Sequence, residues 1–126
     1  MNKLLTASFL AVAMALPSAT LAQSWDANTV VASIAGFDFL KAAEFADSMA
    51  SIRVVRISSL AGADAVADRL ADARNIKAQD IAYLQSQLHQ NFAARVAING
   101  AGVSLDQIVA IYSVDRREGI IYADDL

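Results

Sequence analysis

Apolar residues recur at three-and-four spacing through most of this chain and then gather into short continuous runs near its end, which predicts helices followed by strands. Asp26 precedes Ala27–Ala35 and can accept bonds from the free N–H groups of a first helix, with Gly36 expected to close it in a left-handed conformation. Asp38 caps a second predicted helix through Ser48, whose buried face takes in Phe39, Ala42, Ala43, Ala46, Met49 and Ala50. Phe37, just before that cap, is placed to staple it.

Ile52–Ile57 is rich in branched residues and bracketed by serines, so it reads as a strand. A helix over Ala61–Arg74 is expected next, capped by Ser59, stopped at Asn75, and burying Ala63, Val66, Ala67, Leu70 and Ala73. Ile81, Leu84 and Leu88 define a further helix over Ala78–Gln90. Asn91 caps a short one ending at Asn99-Gly100, with Phe92, Val96 and Ala93 as its expected apolar face. Ser104 and Gln107 have capping-box spacing for one helical turn, and two strands, Ile108–Val114 and Ile120–Asp124, then flank the turn Asp115–Gly119.

This order predicts an α+β domain: a small antiparallel or mixed three-stranded sheet with a C-terminal hairpin, packed by four to five helices. The hairpin strands carry apolar residues on both faces. A sheet with one wet face alternates apolar and polar, so either helices sandwich this sheet or a second chain covers one face.

The N-terminus changes the picture of where the domain works. Lys3 precedes an apolar stretch, Leu4–Leu16, shorter than the roughly twenty residues needed to span a bilayer, and Pro17 and the small residues Thr20 and Ala22 follow. Residues 1–22 therefore read as a cleavable signal peptide, with cleavage between Ala22 and Gln23 and residues 23–126 as one exported domain, periplasmic or secreted. Without a cysteine or a twin arginine, no lipid anchor or twin-arginine export is expected, and no stable membrane anchor.

The exported part is about one-fifth alanine, a residue that favours helices and close packing. Setting Lys3 aside leaves nine basic against thirteen acidic residues, a balance that disfavours nucleic acid as a partner. With no cysteine and one histidine, a structural zinc site is excluded and stability must come from apolar burial. No sequence feature asks for a cofactor.

Few residues invite chemistry. His89 lies among Gln85, Gln87, Gln90 and Asn91, and a small hydrolase-type site built on it needs a serine and an acid brought from elsewhere. Asp64, Asp68 and Asp72 are expected to stack on one helix stripe, which reads as a solvated face because calcium prefers a wrapping loop. Asp115 and Glu118 read as turn and solubility chemistry, and Gly100-Ala101-Gly102 lacks the lysine and third glycine of a phosphate loop. Arg53, Arg56, Arg116 and Arg117 form a small anion-binding patch if the first strand lies beside the hairpin; the simpler reading is charge that protects a sheet edge. Trp25 either anchors a ligand or pins the first helix to the core.

The whole, a small alanine-rich exported domain closing with Gly102–Asp106 and a hairpin, resembles small bacterial periplasmic proteins in general character and carries no residue roles from them. The function expected from these features is a non-catalytic interaction domain, as a homodimer or with a protein partner through the sheet. The alternative is a small binding protein for an anionic or apolar ligand with Arg53 or Arg56 at the mouth of its pocket.

Overall fold

The computed structural model of the chain describes residues 25–46, 48–115 and 117–126, apart from the side chain of Phe45. The expected signal peptide over residues 1–22, its cleavage point before Gln23, and Arg116 lie outside the described residues. Within them are five α-helices and a three-stranded mixed sheet: α1 Ala27–Ile34, α2 Phe39–Ala46, β1 Ser51–Arg56, α3 Ala67–Ile76, α4 Ala78–His89, α5 Phe92–Ala101, β2 Ile108–Ser113 and β3 Glu118–Ala123. The domain is α+β, and its C-terminal hairpin is β2–β3.

Local capping fixes several of these elements. The Asp26 carboxylate accepts from the Thr29 N–H at 2.8 Å, Asp38 from Lys41 at 3.0 Å, and the Asn91 side-chain oxygen from Ala94 at 2.9 Å, each satisfying a donor that the first turn of a helix leaves unpaired. Asn91 also donates to the Ala46 carbonyl at 2.8 Å, which ties the start of α5 to the end of α2. Gln107 accepts from the Ser104 N–H at 2.8 Å and holds a single turn, Leu105–Gln107, before β2.

Other boundaries differ from expectation. Gly36 is not left-handed: α1 ends at Ile34, and the Gly36 and Phe37 N–H groups turn back onto Ser33 and Ile34. Phe37 packs edge-on against Phe39 and Tyr112 in place of a simple staple. The helix expected from Ala61 begins at Ala67, because Gly62 takes φ +79° and Ala63–Ala65 forms a tighter turn. Ser59 therefore does not cap it; its hydroxyl donates to the Arg56 carbonyl. Runs of alanine support a helix in almost any frame, so periodicity alone placed that start too early. At the end of α5 the left-handed residue is Gly102, with φ +73°, and the helix runs past Asn99-Gly100 to Ala101.

The phase of α5 is the largest correction. Phe92 and Val96 are 73% and 54% exposed, while Ala94 and Ile98 are buried and Ala93, Ala97 and Ala101 half-buried. The helix lies against β1, burying Ala94 and Ile98 and turning its larger pair Phe92 and Val96 outward.

The sheet order is β1-β3-β2. β3 pairs antiparallel with β2 and parallel with β1, so the central strand is the last in the sequence. A bulge between Ile108 and Ala110 lets Ile108, Val109 and Ala110 all be buried, which resolves the conflicting alternation of that run. One face carries Arg53, Val55, Ala110, Tyr112, Ile120 and Tyr122; the other carries Ile52, Val54, Arg56, Ile111, Gly119, Ile121 and Ala123. On β3, residues 119–123 are buried on both faces. The chain thus covers both faces of β3 itself. Arg74 ties α3 to the far end of the hairpin through Asp124 at 2.9 Å and the Asp106 carbonyl at 2.7 Å, and Gln85 of α4 donates to the Ile108 carbonyl at 2.9 Å. Among the described residues no helix is long and apolar enough to cross a membrane.

Candidate functional site

The strand that departs from this enclosure is β1. None of its residues is buried, and it lies at one edge of the sheet. The direction of its backbone groups follows from the ladder. The Ser51 N–H donates to the Arg117 carbonyl at 3.1 Å and the strands pair Ser51 with Glu118, so in a parallel ladder Ser51, Arg53 and Val55 turn their N–H and C=O groups toward β3. Ile52, Val54 and Arg56 turn theirs away. The Arg56 carbonyl receives the Ser59 hydroxyl, whereas the outward groups of Ile52 and Val54 meet no strand among the described residues. Such an edge is a template for another strand. Half-buried Ile52, Val54 and Val55 give it apolar side chains as well.

Arg53 and Arg56 of the expected arginine patch do not converge. Arg53 and Arg56 stand three residues apart on a strand, so their side chains leave opposite faces. Arg56 is occupied: it donates to the Ala101 carbonyl at 2.6 Å, closing the end of α5, and lies 3.6 Å from the Asp125 carboxylate. Asp125 in turn accepts from the Ser58 N–H at 2.9 Å and from the Ser58 hydroxyl. Arg53 sits on the opposite face, near Tyr122. Arg117 contributes its carbonyl to Ala50 and Ser51 at the head of β1. Arg53 and Arg56 therefore face different sides of the sheet.

Trp25 belongs to an aromatic cluster on the Arg53 face. Its ring meets Tyr112 edge-on at 5.2 Å and lies parallel to Tyr122 at 6.3 Å, and Tyr112 also meets Phe37 at 4.9 Å. The Tyr112 hydroxyl bonds to Ser33 of α1. Pairs of this kind contribute about 0.5–1.5 kcal/mol each beyond burial, so the cluster pins the segment before α1 to the sheet. Burial pushes the Tyr122 phenol up to about 12, with the neighbouring Tyr112 adding to the rise and Arg53 partly opposing it; burial also raises Tyr112. Both phenols hold their protons more tightly in the fold than at the ordinary value of 10.0. Stability is accordingly untouched by them below that value and falls as pH rises from it through about 12. Denaturant unfolding across this range is expected to show that fall, shallower in Tyr122→Phe; an equal fall in the variant contradicts the assignment.

His89 is exposed at the end of α4 and lines a groove of about 520 Å³ with Arg95, Ile98, Asn99, Val103, Ser104 and Leu105. The Ser104 hydroxyl is engaged with Asp106 and Gln107, and among the described residues His89 has no hydrogen bond or ion pair to a serine or an acid. Asp64 lies in the turn before α3, so only Asp68 and Asp72 share that helix, and all three are exposed. Asp115 accepts from the Arg117 N–H at 2.8 Å and shapes the hairpin turn. Among the described residues no three of His, Asp and Glu gather as a metal-binding group.

The outward edge of β1 was not named by sequence reasoning as a site, because which strand lies at the edge depends on pairing between distant segments. Searches of protein-family models, of curated proteins and of solved structures find no match to this chain.

Proposed function

We propose that this chain is an exported interaction domain that acts by accepting a partner strand along β1. The observation that supports this reading is the pair of residues Ile52 and Val54, whose backbone groups face away from β3, on a strand that is more exposed than β2 and β3. The fold frames that edge: α5 lies against β1, and Arg56 fastens both the end of α5 and the C-terminal residues to it. An added strand gains main-chain hydrogen bonds for affinity and the half-buried Ile52, Val54 and Val55 for side-chain selection.

Export rests on the N-terminal pattern Lys3, Leu4–Leu16, Pro17 and Ala22. Expression of the full chain in a bacterial host is expected to yield a periplasmic or secreted product whose first residue is Gln23. N-terminal sequencing checks this, and an intact Met1 on a cytoplasmic product overturns the export half of the proposal.

A further inference from the structure

We propose that the cleft between the α1–α2 turn and β2 binds a neutral one- or two-ring aromatic molecule that carries an N–H or O–H donor. The cleft lies beside β2, at the opposite edge of the sheet from β1, and the proposal stands apart from the strand-pairing reading. Its volume is about 360 Å³. Apolar cavities of about 150 Å³ hold a benzene ring and small-molecule sites begin near about 300 Å³, so one or two rings are the size that fits.

The walls select a ring. Phe37, Ala42, Ile111 and Tyr112 line the cleft, and the Phe37 and Tyr112 rings lie 4.9 Å apart at a steep angle. Both of these rings are only half-buried, so the chain itself does not finish covering them. A further aromatic ring against such a pair adds stacked or edge contacts to the gain from apolar burial. Gly36 sets no side chain across the opening, where even a Cβ meets nothing within 4 Å.

The hydroxyl hydrogens select the polar group. The Ser33 hydroxyl donates to the Val30 carbonyl at 2.7 Å, so the hydrogen in the bond between Ser33 and Tyr112 comes from Tyr112. Burial raises the Tyr112 phenol, which keeps that hydrogen at neutral pH. The Ser113 hydroxyl gives its hydrogen to the Asp115 carbonyl at 2.7 Å. All three hydroxyls lining the cleft have thus spent their donors and retain lone pairs. A ligand that donates is matched there, whereas one that can only accept sets lone pair against lone pair. The side-chain donor that remains among the lining residues is the Lys41 ammonium, which is exposed and shares the rim with the exposed Asp38 carboxylate. One cation and one anion leave no net charge to favour an ionic ligand.

Indole, which can only donate, and quinoline, which can only accept, separate these terms. Each is titrated into the isotope-labelled protein recovered after export of the full chain, and binding is followed through amide chemical shifts. Indole is expected to shift the amides of Phe37, Ala42, Ile111 and Tyr112 and to bind about fivefold more tightly than quinoline, the ratio set by one net hydrogen bond. Ser33→Ala keeps a good helix former in α1 and releases the Tyr112 hydrogen to the cleft, so quinoline is expected to gain and the preference for indole to disappear. Absence of indole binding up to its solubility limit, or shifts confined to another part of the molecule, overturns the site. Equal affinity for the two molecules in the unaltered protein, or an unchanged preference in Ser33→Ala, overturns recognition through a donor. If Ser33→Ala fails to fold, the shift map and the comparison in the unaltered protein decide.

Discussion

Replacing Ile121 with alanine is expected to lower the folding stability by about 3–4 kcal/mol, near the upper part of the range for deleting a buried branched side chain. Ile121 is fully buried at the middle of the central strand, paired with Val54 on one side and Ile111 on the other. The cavity left behind lies where three strands meet, and a hydrogen-bonded sheet has little freedom to collapse into it. Phe92→Ala removes a larger side chain, yet is expected to change stability by less than about 0.5 kcal/mol, because Phe92 is largely exposed on α5, with the Arg95 guanidinium over its ring. Urea denaturation of both variants checks the pair. A large loss at Phe92 with a small one at Ile121 contradicts the assigned phase of α5 and the place of β3.

The second large effect concerns Gly119, where β3 passes beneath Met49. A Cβ at this position meets the Met49 sulfur directly, with Met49 Cε at 2.8 Å and the Tyr112 carbonyl at 3.5 Å. Met49 is itself buried, so its flexible side chain has little space into which to retreat. Gly119→Ala is therefore expected to cost about 1–3 kcal/mol by overpacking. Met49→Ala alone leaves a cavity, but in the double variant the new methyl occupies part of it. The double variant is expected to be more stable than the sum of the single losses predicts by at least about 1 kcal/mol, the coupling expected of residues in contact. Strict additivity in a double-mutant cycle contradicts this packing.

These contrasts mark what was legible in the sequence. The caps at Asp26, Asp38 and Asn91, the Ser104–Gln107 turn and the hairpin were readable because each is built from residues a few positions apart whose side chains answer specific backbone donors. The start of α3 and the phase of α5 were not, since alanine packs closely on any side and the larger Phe92 and Val96 drew the apolar face toward themselves. The divergence of Arg53 and Arg56 follows from the two-residue period of a strand, so the convergence of these two could have been rejected from sequence alone. The candidate site lay beyond reach for a different reason. Ile52 and Val54 matter through the direction of their backbone groups, and that direction exists only once β1 has joined the far side of β3, more than sixty residues later in the chain.

Amide hydrogen exchange at β1, followed residue by residue by NMR, tests the central claim most directly. The amides of Arg53 and Val55 are committed to β3 and are expected to be protected at every concentration. Those of Ile52 and Val54 face away from β3 and are expected to exchange rapidly in the isolated protein. Slow exchange of Ile52 and Val54 in the isolated protein contradicts the account, because the edge is then already closed.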